Sequence, residues 1–575
     1  MSHTADGPSL RTWWHDSGEI NRATMVKPGN VRQSRKYRVQ VSIAGANKFY
    51  DSFAYESIPR NGRGRIYSPW DAPDSNTGVA NDGITVEISA GTTMAWSQFE
   101  YATDVDVKIL PHQGDMLPDP SKVKIRPTSI RYDIRPSSDG GIIICVPRDS
   151  NGRKFSVEFD HDLYTYRSNG SEYVSSSDQN GHIVGVEPRN ALLIFASPFL
   201  PDDMVPRIDA PDTKVMTPGP INKGDYWDSF GVLYFPPGVY WMNSNQKGDT
   251  PRIGENHMKL HPKTYWVYLA PGAYVKGAIE YTTKADFYAT GHGVLSGEHY
   301  VYQANPDTYY QGLKSDGRSL RMWGHYSLGG GQTWFCQGPT INAPPFNTMD
   351  FYGSDNITTR ISDYKQVGAF FFQTDGPEMY PNSQIHDVFY HVNDDAIKTY
   401  HSNVTLTRAI IWKCHNDPVI QMGWEPRDVS DVLLQDIHVI HTRYIKSEMD
   451  VVPSAIIGAS PSQNGQFTTD LNKSINGFTI RNLVCEGICP ALLRITPLQH
   501  YRNFVIENVA FPDGLQKHHV NTGRSMVPAR NGVEFGVAIV NWTVGGHKVT
   551  MENFQAHQLG QLDVDASYWG QWSIR

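Results

Sequence analysis

Three aspartates define the chemistry this sequence offers. Thr374-Asp375 in "QTDGPEM" returns nineteen residues on as Asn393-Asp394 in "VNDDAIK", with Asp395 directly beside Asp394. That interval is too long for one helix face and too short for a βαβ crossover, but it suits one coil of a parallel β-solenoid. Equivalent positions of successive coils stack about 4.8 Å apart, so Asp375 is expected beside Asp394. Three ionised carboxylates at such spacing repel. At least one should keep its proton above the ordinary carboxyl range, leaving a donor next to ionised acceptors. Hydrolysis of a glycosidic bond needs such a pair, an acid for the leaving oxygen and a base for the attacking water. A single Asp in a solenoid is usually a turn cap, but capping alone does not explain three converging on one wall, flanked by Thr, Asn and Gly. Asp417 in "CHNDPV" repeats the Asn-Asp pattern one coil later, as a turn cap or a sugar hydrogen-bonding group.

The elements that must position these acids are short strands. Up to about residue 200, apolar and polar residues alternate in "YRVQVSI" (37–43), "ITVEI" (84–88), "DVDVKI" (104–109) and "FSVEF" (155–159), each bounded by Gly, Asn, Asp or Pro. This predicts an antiparallel β-sandwich with one wet face per sheet. The Pro- and Asp-rich stretch at 197–224 breaks the periodicity and reads as a linker. Beyond it, "YFPPGVYWM" (234–242) is answered by "YLAPGAYVKG" (268–277), strand, sharp corner, strand. An apolar strand with a polar head then recurs as "SDYKQV", "HDVFYHV", "TRAIIW", "QDIHVI", "RNLVCE", "ENVAF" and "ENFQA" (552–556). From Asp363 the heads Asp387, Arg408 and Asp436 follow at intervals of 24, 21 and 28 residues, a coil of just over twenty residues with loop insertions. The expected fold is all-β: an N-terminal β-sandwich (1–200) that caps one open end of a catalytic right-handed parallel β-helix (201–575).

Composition narrows the partners. Charged residues are 19% of the 575, the formal net charge is −8, and no basic run could track a phosphate backbone, so nucleic acid is not expected. The longest apolar runs fall far short of a bilayer span, so no membrane is expected either. Aromatic residues reach 12%, with 14 Trp and 30 Tyr, a surplus consistent with stacking on sugar rings. The start, "MSHTADGPSL", has no charged n-region and no apolar h-region, so a secretory signal is expected to be either absent or already removed. Five N-x-S/T sequons, at Asn169, Asn356, Asn403, Asn472 and Asn541, fit an exported protein. Of the five cysteines only Cys485 and Cys489 in "CEGIC" are close in sequence; they are expected to form a disulfide, with no metal site among them.

The segments "TWWHDSGEIN" (12–21), "GNVRQS" (29–34), "GAYVKGAIEY" (272–281), "GHGVLSGE" (291–298), "INAPPFNTMDF" (341–351), "YKQVGAFFFQTDGPEMYP" (364–381) and "NDDAIK" (393–398) resemble glycoside hydrolase family 49, and within it the fungal endo-dextranases. The resemblance runs over nearly the whole chain. It implies the sandwich plus β-helix architecture, hydrolysis with inversion, no cofactor, and an extracellular monomer acting on neutral α-glucans such as dextran and isomaltooligosaccharides. Carried over residue by residue, Asp394 matches the general acid and Asp375 and Asp395 the carboxylates that hold the attacking water. Glu378, Lys398, Trp424, Trp14 and Glu298 match substrate-binding positions, although Lys398 could instead only lower the acid pKa values, and Trp424, Trp14 and Glu298 could be core residues. A Cys pair that the family carries before the Trp-Trp segment is missing here.

Rival functions need other residues. A polygalacturonase-like hydrolase needs basic side chains for substrate carboxylates, and no "RIK"-type tripeptide follows the acids. A pectate-lyase-like enzyme needs calcium and an Arg base, for which Arg408 and Arg427 are available. A tailspike-like solenoid would bind glycans without cleaving them. Within the family the alternative is an isopullulanase, which cuts α-1,4 bonds of pullulan.

Overall fold

The computed structural model describes the chain except residues 1–3, 22–25, 62–86, 89–91, 113–118, 168–182, 243–256, 301–320, 326–328, 352–355, 371–372, 415, 444–454, 460–468, 516–523, 528–529 and 556–560. Most of the "ITVEI" segment and the sequon at Asn169 lie outside the described residues. The chain forms two compact units. Met1–Leu163, Pro188–Asn356 and Ile361–Phe371 make the first; Tyr164–Glu187, Ile357–Arg360 and Phe372–Arg575 make the second.

In the first unit the alternating segments pair as two sheets. Tyr37–Ile43, Val105–Pro111 and Ile142–Val146 belong to one, and Thr93–Tyr101, Arg153–Phe159 and Asn190–Ser197 to the other. Their inward residues, among them Val39, Val41, Val107, Ile109, Ile144, Phe155, Val157, Leu192 and Ile194, form one buried core, as the period of two requires. The pairing of Asn190–Ser197 with Thr93–Tyr101 is parallel, an exception to the antiparallel expectation.

The expected wet face is missing from the second sheet. Thr93–Tyr101 and Asn190–Ser197 are buried along their whole length, because parallel coils cover the outer face. Those coils begin at Thr213–Val215 and stack residues such as Val232, Trp266, Tyr288 and Phe335 in register. The paired corner units fold as read: Gly238 and Gly272 take φ of 148° and 84°, the left-handed region a sharp corner needs.

Aromatic and ionic contacts join sheet to coils. The Tyr55 ring stacks on Trp96 at 4.1 Å and on Tyr274 at 5.8 Å. Buried His292 bridges Glu100 at 2.6 Å and Asp363 at 2.9 Å, and Lys154 and Lys365 reach Asp363 at 2.6 and 3.3 Å. Burial disfavours the charged imidazole, but its two carboxylate partners raise the His292 pKa above the ordinary histidine value. These contacts reach several successive coils. The sandwich therefore packs along the flank of the coils in this unit, not over an open end.

In the second unit the polar-headed strands carry a register that repeats coil after coil. Val388, Ala409, Ile437, Leu483, Val509 and Trp542 are mutual partners in sequence, and all are buried. The residue before each of them, namely Asp387, Arg408, Asp436, Asn482, Asn508 and Asn541, has φ between 55° and 62°. The polar head is thus a left-handed break in the strand, where Asn and Asp are tolerated because short side chains bond locally. Their side chains form a ladder: Asn482 donates to Asp436 at 2.7 Å, Asn508 to Asn482 at 3.0 Å, and Asn541 to Asn508 at 3.1 Å. Arg408 pairs with Asp387 at 2.6 Å, which commits it to the ladder.

A second parallel sheet of short strands lines the other wall, Ile397–Lys398, Ile420–Gln421, Ile457–Ala459, Leu493–Ile495, Arg524–Val527 and Gln561–Val564. Most of the strands Leu163–Arg167 and Ile183–Pro188, expected in the sandwich, belongs to this unit, where Glu187 accepts from Trp412 at 3.2 Å and lies 3.5 Å from Arg443.

Two expectations fail here. "ENFQA" is no strand in its described residues, since Met551–Gln555 is helical; so short a segment carries no alternation strong enough to define a strand. Cys485 and Cys489 are free thiols, like the other three cysteines. Cys485 ends the strand Ser474–Cys485, and both side chains are fully buried. The Thr442 hydroxyl donates to Cys489 Sγ at 3.6 Å, and the two thiols meet by hydrogen bonding, with burial pushing the Cys485 pKa well up. Each packs as a small hydrophobe.

Candidate active site

The acids sit in the bends that link the long strands to the short ones. Asp394 and Asp395 fall between Gln384–Val392 and Ile397–Lys398, and Asp417 between Val404–Lys413 and Ile420–Gln421. Asp375 is placed by the preceding coil. Asn393 N donates to Thr374 O at 3.4 Å, Gly376 N donates to Asp395 O at 2.9 Å, and Glu378 bridges Lys398 in parallel. The alignment of Asp375 with Asp394 read from the spacing is therefore the one the backbone makes. A Cβ on Gly376 would lie 2.2 Å from Ala396 O, so the glycine admits the backbone of the neighbouring coil.

Asp375, Asp394, Asp395 and Asp417 are 5–6% exposed. One carboxylate oxygen from each of Asp394, Asp395 and Asp417 lies within 4.8 Å of one from each of the others. Among the described residues these three are the group that could gather around a cation. Positive charge is already close: buried Lys413 is drawn toward its charged form by Asp394 and Asp417, although burial leaves its pKa below the ordinary lysine value. Its ammonium donates to Asn416 O.

Each acid has its own partners. Lys398 Nζ lies 3.2 Å from Asp375 and 3.0 Å from Glu378. Burial opposes its charge, yet Glu378, Asp375 and Asp395 together raise its pKa, so it stays an ammonium. Asp395 accepts from Tyr400 OH at 3.0 Å and from Gln421 Nε2 at 3.2 Å. The Arg427 guanidinium lies 4.3 Å over the Tyr400 ring, which fixes the phenol. Burial, then repulsion from Asp394 and Asp375, pushes the Asp395 pKa well up, with Lys398 and Tyr400 opposing. Asp394 accepts from Gln373 N at 2.7 Å and Asn416 Nδ2 at 2.8 Å on one oxygen, and from Asp395 N at 3.0 Å on the other.

Of the residues carried over from the resemblance, Asp375, Glu378, Asp394, Asp395 and Lys398 come together in the second unit. Trp424 is half-buried in the same unit, just after Gly423. Trp14 and Glu298 belong to the first unit. The Trp14 ring meets Phe53 edge-on at 5.2 Å. Glu298 pairs with Lys276 at 3.0 Å and bonds the Tyr274 and Ser296 hydroxyls. Burial disfavours its charge, but Lys276 leads the partners that lower its pKa to about 2. Sequence reasoning missed Tyr400, Gln421 and Asn416. A repeat of 23 residues links Asn393 to Asn416, Asp394 to Asp417 and Lys398 to Gln421, and it carried enough signal to find the last two. Tyr400 follows from alternation, two residues beyond Lys398.

With several buried carboxyls crowded together and Lys398 and Tyr400 among them, the site suits acid–base hydrolysis. Models of protein families match the chain at residues 1–199 (glycosyl hydrolase family 49 N-terminal Ig-like domain), 345–376 (beta solenoid repeat from dextranase), 412–444 (isopullulanase beta-solenoid repeat) and 464–575 (glycosyl hydrolase family 49). A dextranase of Talaromyces minioluteus is 65% identical over all of this chain and 94% of its own length. An isopullulanase of Aspergillus niger is 37% identical over 99% of this chain and 95% of its own. The solved structure of Dex49A from Penicillium minioluteum matches with a TM-score of 0.93 at 63% identity, covering 100% of both chains.

Proposed function

From the premise that the chain belongs to glycoside hydrolase family 49 and is a glycoside hydrolase, we propose that it is an extracellular endo-dextranase cutting internal α-1,6 linkages of dextran with inversion. The observation that carries this is the corner where Asp375, Asp394 and Asp395 converge around Lys398, in a chain 65% identical to a dextranase. Asp394 protonates the leaving oxygen. Asp375 and Asp395 hold the attacking water and take its proton. Asp395 fits the base: Tyr400 and Gln421 donate to its ionised form, while burial and its carboxylate neighbours strengthen its hold on a proton once taken. Glu378, Lys398 and Trp424 contact sugar hydroxyls and rings in the same cleft, and Trp14 and Glu298 are assigned to substrate contact on the family resemblance alone.

Inverting enzymes hold their carboxyls about 6.5–9.5 Å apart, with a water between acid and base. Asp395 brings one oxygen within 4.8 Å of Asp394, so the wider separation falls to Asp375. Strand pairing that becomes a parallel stack between Ser197 and Thr213 supports a sandwich over 1–200 and a catalytic solenoid over 201–575, apart from Tyr164–Glu187, which belongs to the second unit. Export fits a polymer substrate and the exposed sequon residues Asn356, Asn403, Asn472 and Asn541.

Two observations stand behind the isopullulanase alternative, the repeat match over residues 412–444 and the 37% identity to an isopullulanase of Aspergillus niger. Incubation with dextran and with pullulan separates the two. Dextran should yield short isomaltooligosaccharides while pullulan stays intact by product sizing; cleavage of pullulan with dextran untouched would overturn the proposal.

A further inference from the structure

Gln421 is held in one orientation by its own backbone. It ends the strand Ile420–Gln421, one coil beyond its register partner Lys398, and is fully buried. Gly423 N donates to Gln421 Oε1 at 3.1 Å. An N–H group cannot accept, so this bond puts the amide oxygen on the Gly423 side and turns Nε2, a donor, toward Asp395 Oδ1 at 3.2 Å. Tyr400 OH donates to the other Asp395 oxygen at 3.0 Å. Gly423 serves both arms. Its φ of 111° suits glycine, and a Cβ there would lie 2.7 Å from the Arg427 guanidinium that covers the Tyr400 ring.

We propose that Gln421 is a positioning residue that fixes Asp395 as the carboxylate that takes the water proton, and that Asp375 holds the water without deprotonating it. The inference rests on the reading of Asp375 and Asp395 as the base side of the site. An ionised carboxylate offers about four lone-pair sites. Tyr400 and Gln421 take one on each Asp395 oxygen, and among the described residues no further side chain or N–H bonds to them. Each oxygen thus keeps a site for water.

The two carboxylates differ in their donors. Asp375 accepts from the Lys398 ammonium at 3.2 Å, and a charged donor stabilises a carboxylate about twice as strongly as a neutral one, which weakens it as a base. Asp395 has an amide and a phenol. Burial, then Asp395 and its carboxylate neighbours, holds the Tyr400 pKa well above the ordinary phenol value, so the phenol keeps the proton it donates. Asp394 and Asp375 strengthen the hold of Asp395 on a proton and Lys398 weakens it, while Asp417 and Lys413 face it from the next coil.

The step balances without a co-reactant. As the C1–O bond breaks, its electron pair moves to the leaving oxygen, which Asp394 protonates; water forms the new C1–O bond and passes its proton to an open site on Asp395. Asp395 then loses that proton to solvent and Asp394 regains one, so a turnover consumes one water and no net proton.

The test is the pH dependence of dextran hydrolysis by Gln421→Met and Gln421→Glu. Met removes the donor. Glu keeps the shape and can still accept from Gly423 N, but it sets another carboxylate against Asp395. Gln421→Met should lower kcat at least about tenfold, the scale of one hydrogen bond to a charged group, with KM held. The acid limb of the kcat profile should move to higher pH, because a carboxylate that loses a donor binds its proton more tightly. Gln421→Glu should lose more than Gln421→Met, whereas a role in shape alone gives the reverse order. Added to Asp395→Asn, Gln421→Met should cost little further kcat; added to Asp375→Asn, it should keep its full cost. An unmoved acid limb, a Met variant worse than the Glu variant, or equal further losses on the two backgrounds would overturn the proposal while the base reading stands. If Asp375→Asn and Asp395→Asn both keep wild-type activity, the base reading falls and the inference falls with it. Should Gln421→Glu not fold, the acid limb and the two backgrounds decide alone, and Gln421→Leu is read like Gln421→Met.

Discussion

Asp394→Asn should lower kcat on dextran by about two to four orders of magnitude, the usual range for losing a positioned acid, while KM changes little. The side chain keeps its shape and can still bond Asn416, but it cannot protonate a leaving oxygen. With its oxygen accepting from Gln373 N and Asn416 Nδ2, its amide nitrogen meets the Asp395 N–H group, which had donated to a carboxylate at 3.0 Å. Some local stability should therefore go as well, visible as a lower Tm. Retained dextran binding with lost turnover would also remove the tailspike-like alternative. Activity within a few-fold of wild type would contradict the assignment.

Lys398→Met should be the second large effect, and it tests the base side of the site. The ammonium is the cation shared by Asp375 at 3.2 Å and Glu378 at 3.0 Å, and it restrains the rise of the Asp395 pKa. Removing it leaves buried carboxylates without a counter-charge, a change that typically costs about 3–5 kcal/mol. The folded protein can relieve that cost by taking up protons. Asp395 should then stay neutral to a higher pH, so the acid limb of the kcat/KM profile moves upward. At the wild-type optimum kcat/KM should fall by about two orders of magnitude, the scale of two lost charge-assisted hydrogen bonds. A fall in activity with the acid limb unmoved would mean that Lys398 serves sugar contact and not the charge state of the base.

Much of this arrangement was legible because a solenoid converts sequence interval into spatial contact. The 19-residue echo placed Asp375 beside Asp394, and the heads at Asp387, Arg408 and Asp436 marked the left-handed breaks of successive coils. Less visible was what depends on packing from outside the strand. Thr93–Tyr101 lies in a sheet expected to keep one wet face, yet both its faces are buried, and Gln98 and Glu100 are buried polar groups that find partners in Thr340 and His292. Spacing alone could not show that Cys485 and Cys489 would stay thiols, because bridging depends on how the bend at Gly487 (φ 76°) aims them. Nor could spacing show which carboxyls the surroundings push upward; burial and mutual repulsion do so for Asp395 and Asp417.

The central claim is a single displacement at the anomeric carbon, with Asp394 as acid and water held by Asp375 and Asp395. Proton NMR of the first reducing ends released from dextran, read before mutarotation, tests it most directly. The account predicts β-anomers from the α-1,6 linkage. Initial α-anomers would contradict it and would make Asp375 or Asp395 a nucleophile.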